Sequence, residues 1–227
     1  LESDIKLYTI LEYRSCLFSL IITSLYNNDD SEVIGYLKKI ESTKNISNSF
    51  FYYTYYCSFI MIYNFKKDYK AVDEMIETQE FVTYLNESKL LYHSYFYSIL
   101  ELLLVAKYYL TDFRHVKEYV SIIKNQNNTS PSVLYNSSLF ECFVAIYNNN
   151  ILSLAVHLKT LKTYINSSYY KDVEFHTYLV KCFDFLVKQF DIKTKEIKHV
   201  LQMINAVEEV FNPGSSYIGL SYKEAFI

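Results

Sequence analysis

Glycine and proline are scarce in this chain, at 3 and 2 of 227 residues, and tryptophan is absent. Sharp turns usually call on the first two, so their scarcity argues against a strand-rich fold with many tight loops. Catalytic signatures are missing as well. No glycine-rich phosphate loop, no HExxH and no nucleophile elbow occurs, which removes the common patterns of nucleotide, zinc and serine-hydrolase chemistry. An excess of basic charge is absent too: the net charge is −3 and the two signs are interspersed. Duplex-binding domains carry a basic face or stripe, so this stretch is not expected to grip nucleic acid itself.

The four cysteines, Cys16, Cys57, Cys142 and Cys182, lie in apolar segments with no CxxC or Cys/His ligand spacing. They read as buried, reduced thiols of a cytoplasmic protein, and no metal site or cofactor is expected. The start, Leu1-Glu2-Ser3-Asp4, is acidic where a secretory signal needs positive charge. Residues 50–65 carry no charge but are mostly aromatic and shorter than the roughly 20 residues of a bilayer span. Residues 99–109 are interrupted by Glu101 and Lys107. Both runs read as helices buried inside a stack, with no membrane contact.

What is abundant is apolar and aromatic: 51% of residues are hydrophobic, with 25 Tyr and 16 Phe. These residues are written in one repeated order. A long apolar segment closes on an aromatic, a short polar break follows, and a second segment carries an apolar residue every third or fourth position. The first segments close at Tyr26, Tyr63, Tyr109, Tyr147 and Phe190. The partners that follow carry Val33, Leu37 and Ile40; Val72, Met75 and Ile76; Val116, Val120 and Ile123; Leu154, Leu158 and Leu161; and Ile197, Leu201 and Ile204. Units of roughly 34–47 residues built from two helices are the mark of tetratricopeptide-like and HEAT-like arrays, in which no hairpin buries its apolar face alone. The expected fold is all-α, a right-handed superhelical solenoid of about five TPR-like helix hairpins, with residues 1–227 forming one regulatory domain.

The expected hairpins begin with 4–27 and 31–44, where Asp29 or Ser31 can cap the second helix. The next long helix starts after 45–49 and is aromatic all round, which demands neighbours on several sides. Asn86-Glu87-Ser88 is expected to open the third long helix. Ser130-Pro131 is the clearest start signal, with serine as cap and proline at the first helical position. Residues 169–190 and 194–211 make the fifth pair. Asn212-Pro213-Gly214-Ser215-Ser216 then sets off 217–227 as a C-terminal capping helix or one exchanged with a partner. The chain opens mid-period without methionine, as a piece of a longer protein would.

No catalytic residue is expected. His115, His157 and His199 lie beside charged residues and read as surface groups, whereas His93 and His176 fall on long first helices and are the better candidates for a pH-sensitive contact. Glu101 and Glu141 interrupt apolar runs, and either a wet groove or an exposed edge would satisfy them. A groove lined by first helices suits a short extended peptide, which needs amide or hydroxyl partners and apolar pockets. The candidate peptide-binding residues are Asn48, Tyr52 and Tyr55; Tyr92, His93 and Tyr95; Asn136 and Phe140; and Tyr170, Glu174 and Tyr178.

The stretch Tyr164-Ile165-Asn166-Ser167-Ser168-Tyr169-Tyr170-Lys171-Asp172-Val173-Glu174, then Leu179, Phe183, Leu186 and Asp191, then the segment 197–211, resembles the C-terminal half of Rgg-like transcription regulators of Gram-positive bacteria. In organisation the resemblance spans nearly the whole chain. It implies a cytoplasmic quorum-sensing receptor that binds a short hydrophobic signalling peptide in a concave groove. It also implies a homodimer, and DNA binding only through an N-terminal helix-turn-helix absent from this sequence. The alternative expectation is a helical-repeat scaffold for protein–protein interaction.

Overall fold

The computed structural model describes residues 2–27, 29–44, 49–91, 93–126, 129–167 and 174–189. Among them the regular structure is all helix, with ten helices and no strand. The fifth hairpin's second helix and the capping segment, both within 190–227, lie outside the described residues. Two compact units are distinguished, Leu1–Ala106 and Lys107–Ile227.

In the first unit, α1 (Glu2–Tyr26), α2 (Asp30–Glu41), α3 (Ser49–Phe65), α4 (Tyr69–Ile76) and α5 (Gln79–Leu91) follow one another. The aromatic helix α3 packs against α1, α2, α4 and α5, the several-sided burial that its sequence requires. Its rings interlock with those of α5: Tyr56 meets Phe81 edge-on at 4.8 Å and Tyr52 lies 5.7 Å from Tyr84. Such pairs contribute about 0.5–1.5 kcal/mol each beyond the area they bury. Arg14 of α1 is wholly buried in this core. Its Nε donates to Thr43 Oγ1 at 2.9 Å, its Nη2 donates to the Thr43 carbonyl at 2.8 Å, and its guanidinium lies 4.9 Å from the Phe51 ring centre. One side chain thereby ties α1 to the end of α2 and the start of α3.

The helix α6 (His93–Tyr109) runs across the boundary between the units. In the first unit, the buried Asn64 of α3 donates from its amide to the Leu102 carbonyl of α6 at 3.0 Å. The second unit continues with α7 (Phe113–Lys124), α8 (Pro131–Tyr147), α9 (Ile151–Ser167) and α10 (Glu174–Gln189). Helix α8 packs on α7 and α9, and α10 packs on α9.

Expectation and structure part at residues 66–91. The second hairpin's short partner is two helices, α4 and α5, and Asn86-Glu87-Ser88 lies inside α5 rather than opening the next long helix. The break between them is made by Thr78, whose hydroxyl donates to the Met75 carbonyl at 2.8 Å and accepts from the Phe81 amide at 3.3 Å. A threonine can end one helix and cap the next without glycine or proline, so the usual breaker signals are silent there.

Between α3 and α4, α6 and α7, and α8 and α9 the chain makes the same turn. Asp68, Asp112 and Asn150 donate their amides to the carbonyls five residues back, Tyr63, Lys107 and Ala145, at 2.8–2.9 Å. Lys67, Thr111 and Asn149 donate to the carbonyls three residues back and have φ of 58°, 58° and 52°. This is the Schellman ending of a helix. The Asp68, Asp112 and Asn150 side chains then cap the following helix, accepting from the amides of Ala71, His115 and Ser153. The same amide and side-chain bonds recur at Asp29, whose amide reaches the Ser24 carbonyl and whose carboxylate accepts from the Glu32 amide. Ser130 and Pro131 also begin α8 as expected, with Ser130 Oγ accepting from the Val133 amide.

Positive φ suits glycine, and for a β-branched residue it is strained. Thr111→Gly is therefore expected to raise unfolding stability in urea by about 1 kcal/mol. Asp112→Ala is expected to lower it by at least about 1 kcal/mol through loss of the cap. Opposite signs at adjacent positions would not arise from a loose loop.

Candidate functional site

The predicted peptide-binding set is divided between the two units. Tyr52 and Tyr55 are half-buried on α3, in stacks with Tyr56 and Phe51 respectively. Asn136 and Phe140 are buried on α8, so an open groove cannot reach their side chains without rearrangement. They are inside because α8 packs against both α7 and α9. Tyr178 is exposed on α10, with Lys181 Nζ 5.0 Å from its ring centre. His93 and Tyr95 fall on α6 and Glu174 on α10, with side chains outside those described, and Asn48, Tyr92 and Tyr170 lie outside the described residues altogether.

His176 also differs from expectation. It is 3% exposed, and its Nδ1 lies 3.0 Å from the hydroxyl of the fully buried Tyr135. Burial lowers its pKa to about 4, so it holds α10 to α8 as a neutral imidazole. Among the cysteines, Cys57, Cys142 and Cys182 are buried, with thiol pKa values pushed up by burial, while Cys16 is exposed.

A cluster of charge in a concavity lies in the second unit. A cleft of about 300 Å³ opens between α7, α8 and α9. Val116, Val144 and Ala145 give it apolar walls, and Lys117, Glu141, Asn148, Asn150, Ser153 and His157 give it polar ones. Glu141 is the residue of α8 between Tyr135 and Ala145 that is not buried. Its Oε2 accepts from Lys124 Nζ of α7 and lies 3.3 Å from His157 Nδ1 of α9. Burial alone would raise the Glu141 pKa, but the hydrogen bonds from His157 and Lys124 outweigh it and hold the carboxyl below its ordinary range. None of the predicted peptide-binding residues lines this cleft.

The α8–α9 turn builds one side of the cleft. Asn148 donates its side-chain amide to the Val144 carbonyl at 2.9 Å, and Asn150 caps α9. Four-residue spacing then places Ser153 and His157 on one face of α9. Serine, histidine and glutamate in one cleft superficially suggest nucleophilic catalysis. Among the described residues, however, no hydrogen bond joins the Ser153 hydroxyl to His157, and Lys124 competes for the same carboxylate oxygen. What the arrangement presents is a cavity with charged and amide-bearing side chains beside a small apolar surface. On the adjoining stripe of α9, Leu152 is 79% and Val156 65% exposed, and Tyr147 at the end of α8 is 59% exposed.

Comparison of the chain with protein families, with curated proteins and with solved structures finds no match in any of the three. Among the described residues, no group of three or more His, Cys, Asp or Glu side chains could hold a metal ion, and no helix is long and apolar enough to cross a membrane.

The pH dependence separates His176 from the ion cluster. A histidine whose folded pKa is lowered gives stability that is complete above its unfolded value of 6.5 and is lost as pH falls toward about 4. Glu141 has a depressed folded pKa, so its contribution is lost only below its unfolded value of 4.5. Between pH 7.5 and 5 urea unfolding should show a loss of about 2 kcal/mol from His176. The His176 ring resonances should stay those of neutral imidazole throughout that interval. Titration of that ring near its ordinary value would refute the buried Tyr135 contact.

Proposed function

We propose that this chain is the ligand-sensing part of a regulatory protein, with its hairpins stacked as one right-handed superhelix of about five TPR-like units that holds a short hydrophobic peptide. The observation that carries the reading is the α7–α9 cleft, with exposed Leu152 and Val156 on the next stripe of α9. A polar mouth fixes a peptide's backbone or terminus, and an apolar strip beside it takes the side chains that follow. Ligand pockets commonly combine a few placed polar groups with apolar lining in this way. Three large apolar side chains left in water within ten residues of sequence point to a binding surface.

A peptide can alter such a protein only by binding one arrangement more tightly than another. The recurrent turns give rigid hairpins, so a ligand bridging α7, α8 and α9 acts on the angles between helices. Rgg-like membership, homodimerisation and control of DNA engagement are parts of the proposal that rest on the resemblance in residues 164–191 and 197–211. Exposure of Leu152 and Val156 equally favours a second reading, a scaffold that docks a folded partner's helix.

Fluorescence polarisation with labelled hydrophobic peptides encoded near the gene distinguishes the two. Saturable binding of one peptide but not its scrambled form is expected. Val156→Asp should weaken it at least about tenfold, a loss of about 1.4 kcal/mol, with helix content unchanged by circular dichroism. Equal binding of native and scrambled peptides, or none, removes the sensor reading and leaves the scaffold.

A further inference from the structure

The charges around the cleft favour one end of a peptide over the other. Glu141, the acidic group that lines the cleft, is compensated within the protein by Lys124 and His157, both directed at its Oε2. Lys117 also lines the cleft, is exposed, and has no ion-pair partner among the described residues. The two lysines and one glutamate leave a net charge of about +1 around the cavity, which attracts an anion and repels an amine.

Hydrogen-bonding capacity agrees with that sign. Asn150 Oδ1 is occupied by the Ser153 amide, so its Nδ2 remains as a donor. The Ser153 hydroxyl and the Lys117 ammonium add further donors on the same cavity. The Asn148 side chain gives one amide hydrogen to the Val144 carbonyl and keeps the second. A carboxylate only accepts, whereas a primary amide brings two donor hydrogens that need acceptors. Val116, Val144 and Ala145 add apolar surface to the same cavity of about 300 Å³.

We infer that the cleft between α7, α8 and α9 takes the free C-terminal carboxylate of a peptide together with the apolar side chain of its last residue. Lys117 supplies the charge, and Asn150 and Ser153 supply directed hydrogen bonds. The preceding residues then leave the cleft along Leu152 and Val156. The inference rests on the peptide-binding reading above and adds the ligand's polarity and direction to it.

The test uses the smallest molecules that carry this chemistry. The ¹⁵N-labelled chain is titrated with N-acetyl-leucine and with N-acetyl-leucinamide, and the backbone amide resonances of Lys117, Ser153 and His157 are followed. The acid should shift them saturably, and the amide should bind about tenfold more weakly. Lys117→Gln, a change on an exposed position, should reduce the acid to the level of the amide and leave the rest of the spectrum in place. Equal binding of acid and amide, or an unchanged acid affinity in Lys117→Gln, overturns the assignment. If neither fragment perturbs the cleft while a hydrophobic peptide still binds by polarisation, the carboxylate inference fails and the sensor reading stands. If neither fragment nor peptide binds, both fall.

Discussion

At four helix junctions the hydrogen bond from the capping residue's amide back across the preceding turn is what the rest of this fold depends on. At Asp29, Asp68, Asp112 and Asn150 one residue does two jobs: its amide closes the helix behind it and its side chain opens the helix ahead. Helix ends leave orphan carbonyls and amides, and a turn that satisfies both sets within a few residues needs no loop. It also fixes the direction in which the second helix sets off. In a chain with 3 glycines the left-handed position falls to Lys67, Thr111 and Asn149 instead. Their strain is offset by the paired caps and by the apolar faces that the turn brings together.

The same turn positions the candidate site. Asn148 and Asn150 are at once the end of α8, the cap of α9 and part of the cleft wall. The cap sets where α9 begins, and Ser153 and His157 follow at fixed angles. Glu141, eight residues before the left-handed Asn149, meets His157 because the hairpin closes tightly. Polar groups in the apolar helices meet three different ends. Arg14 is buried on the Thr43 hydroxyl and carbonyl, His176 is buried neutral against Tyr135, and Glu141 stays ionised at a cleft between Lys124 and His157. Each arrangement supplies hydrogen-bond partners to a polar group that burial would otherwise strand.

Helical periodicity, the aromatic closures at Tyr26, Tyr109 and Tyr147, and the caps at Asp29 and Ser130 were all legible in the sequence, because each depends on neighbours within a few residues. The split between α4 and α5 was not, because Thr78 ends and begins helices without a glycine or proline. Site residues were the least legible. Asn136 and Phe140 share a helix with Glu141, and their burial depends on what covers α8 rather than on their chemistry. Glu141 announced itself as a charge in an apolar run. Its partners Lys124 and His157 lie 17 residues before and 16 residues after it, and each looks like an ordinary surface residue until α7, α8 and α9 are folded together.

Native-state hydrogen exchange at the amides of Asp29, Asp68, Asp112 and Asn150 tests the central claim most directly. All four lie at turns between helices, where amides ordinarily exchange quickly. If the shared junction holds the hairpins, they should exchange as slowly as amides in the middle of the adjoining helices, because opening them requires separating the pair. Fast exchange at all four, with the helix interiors protected, would contradict the account and leave the hairpins joined by loose loops.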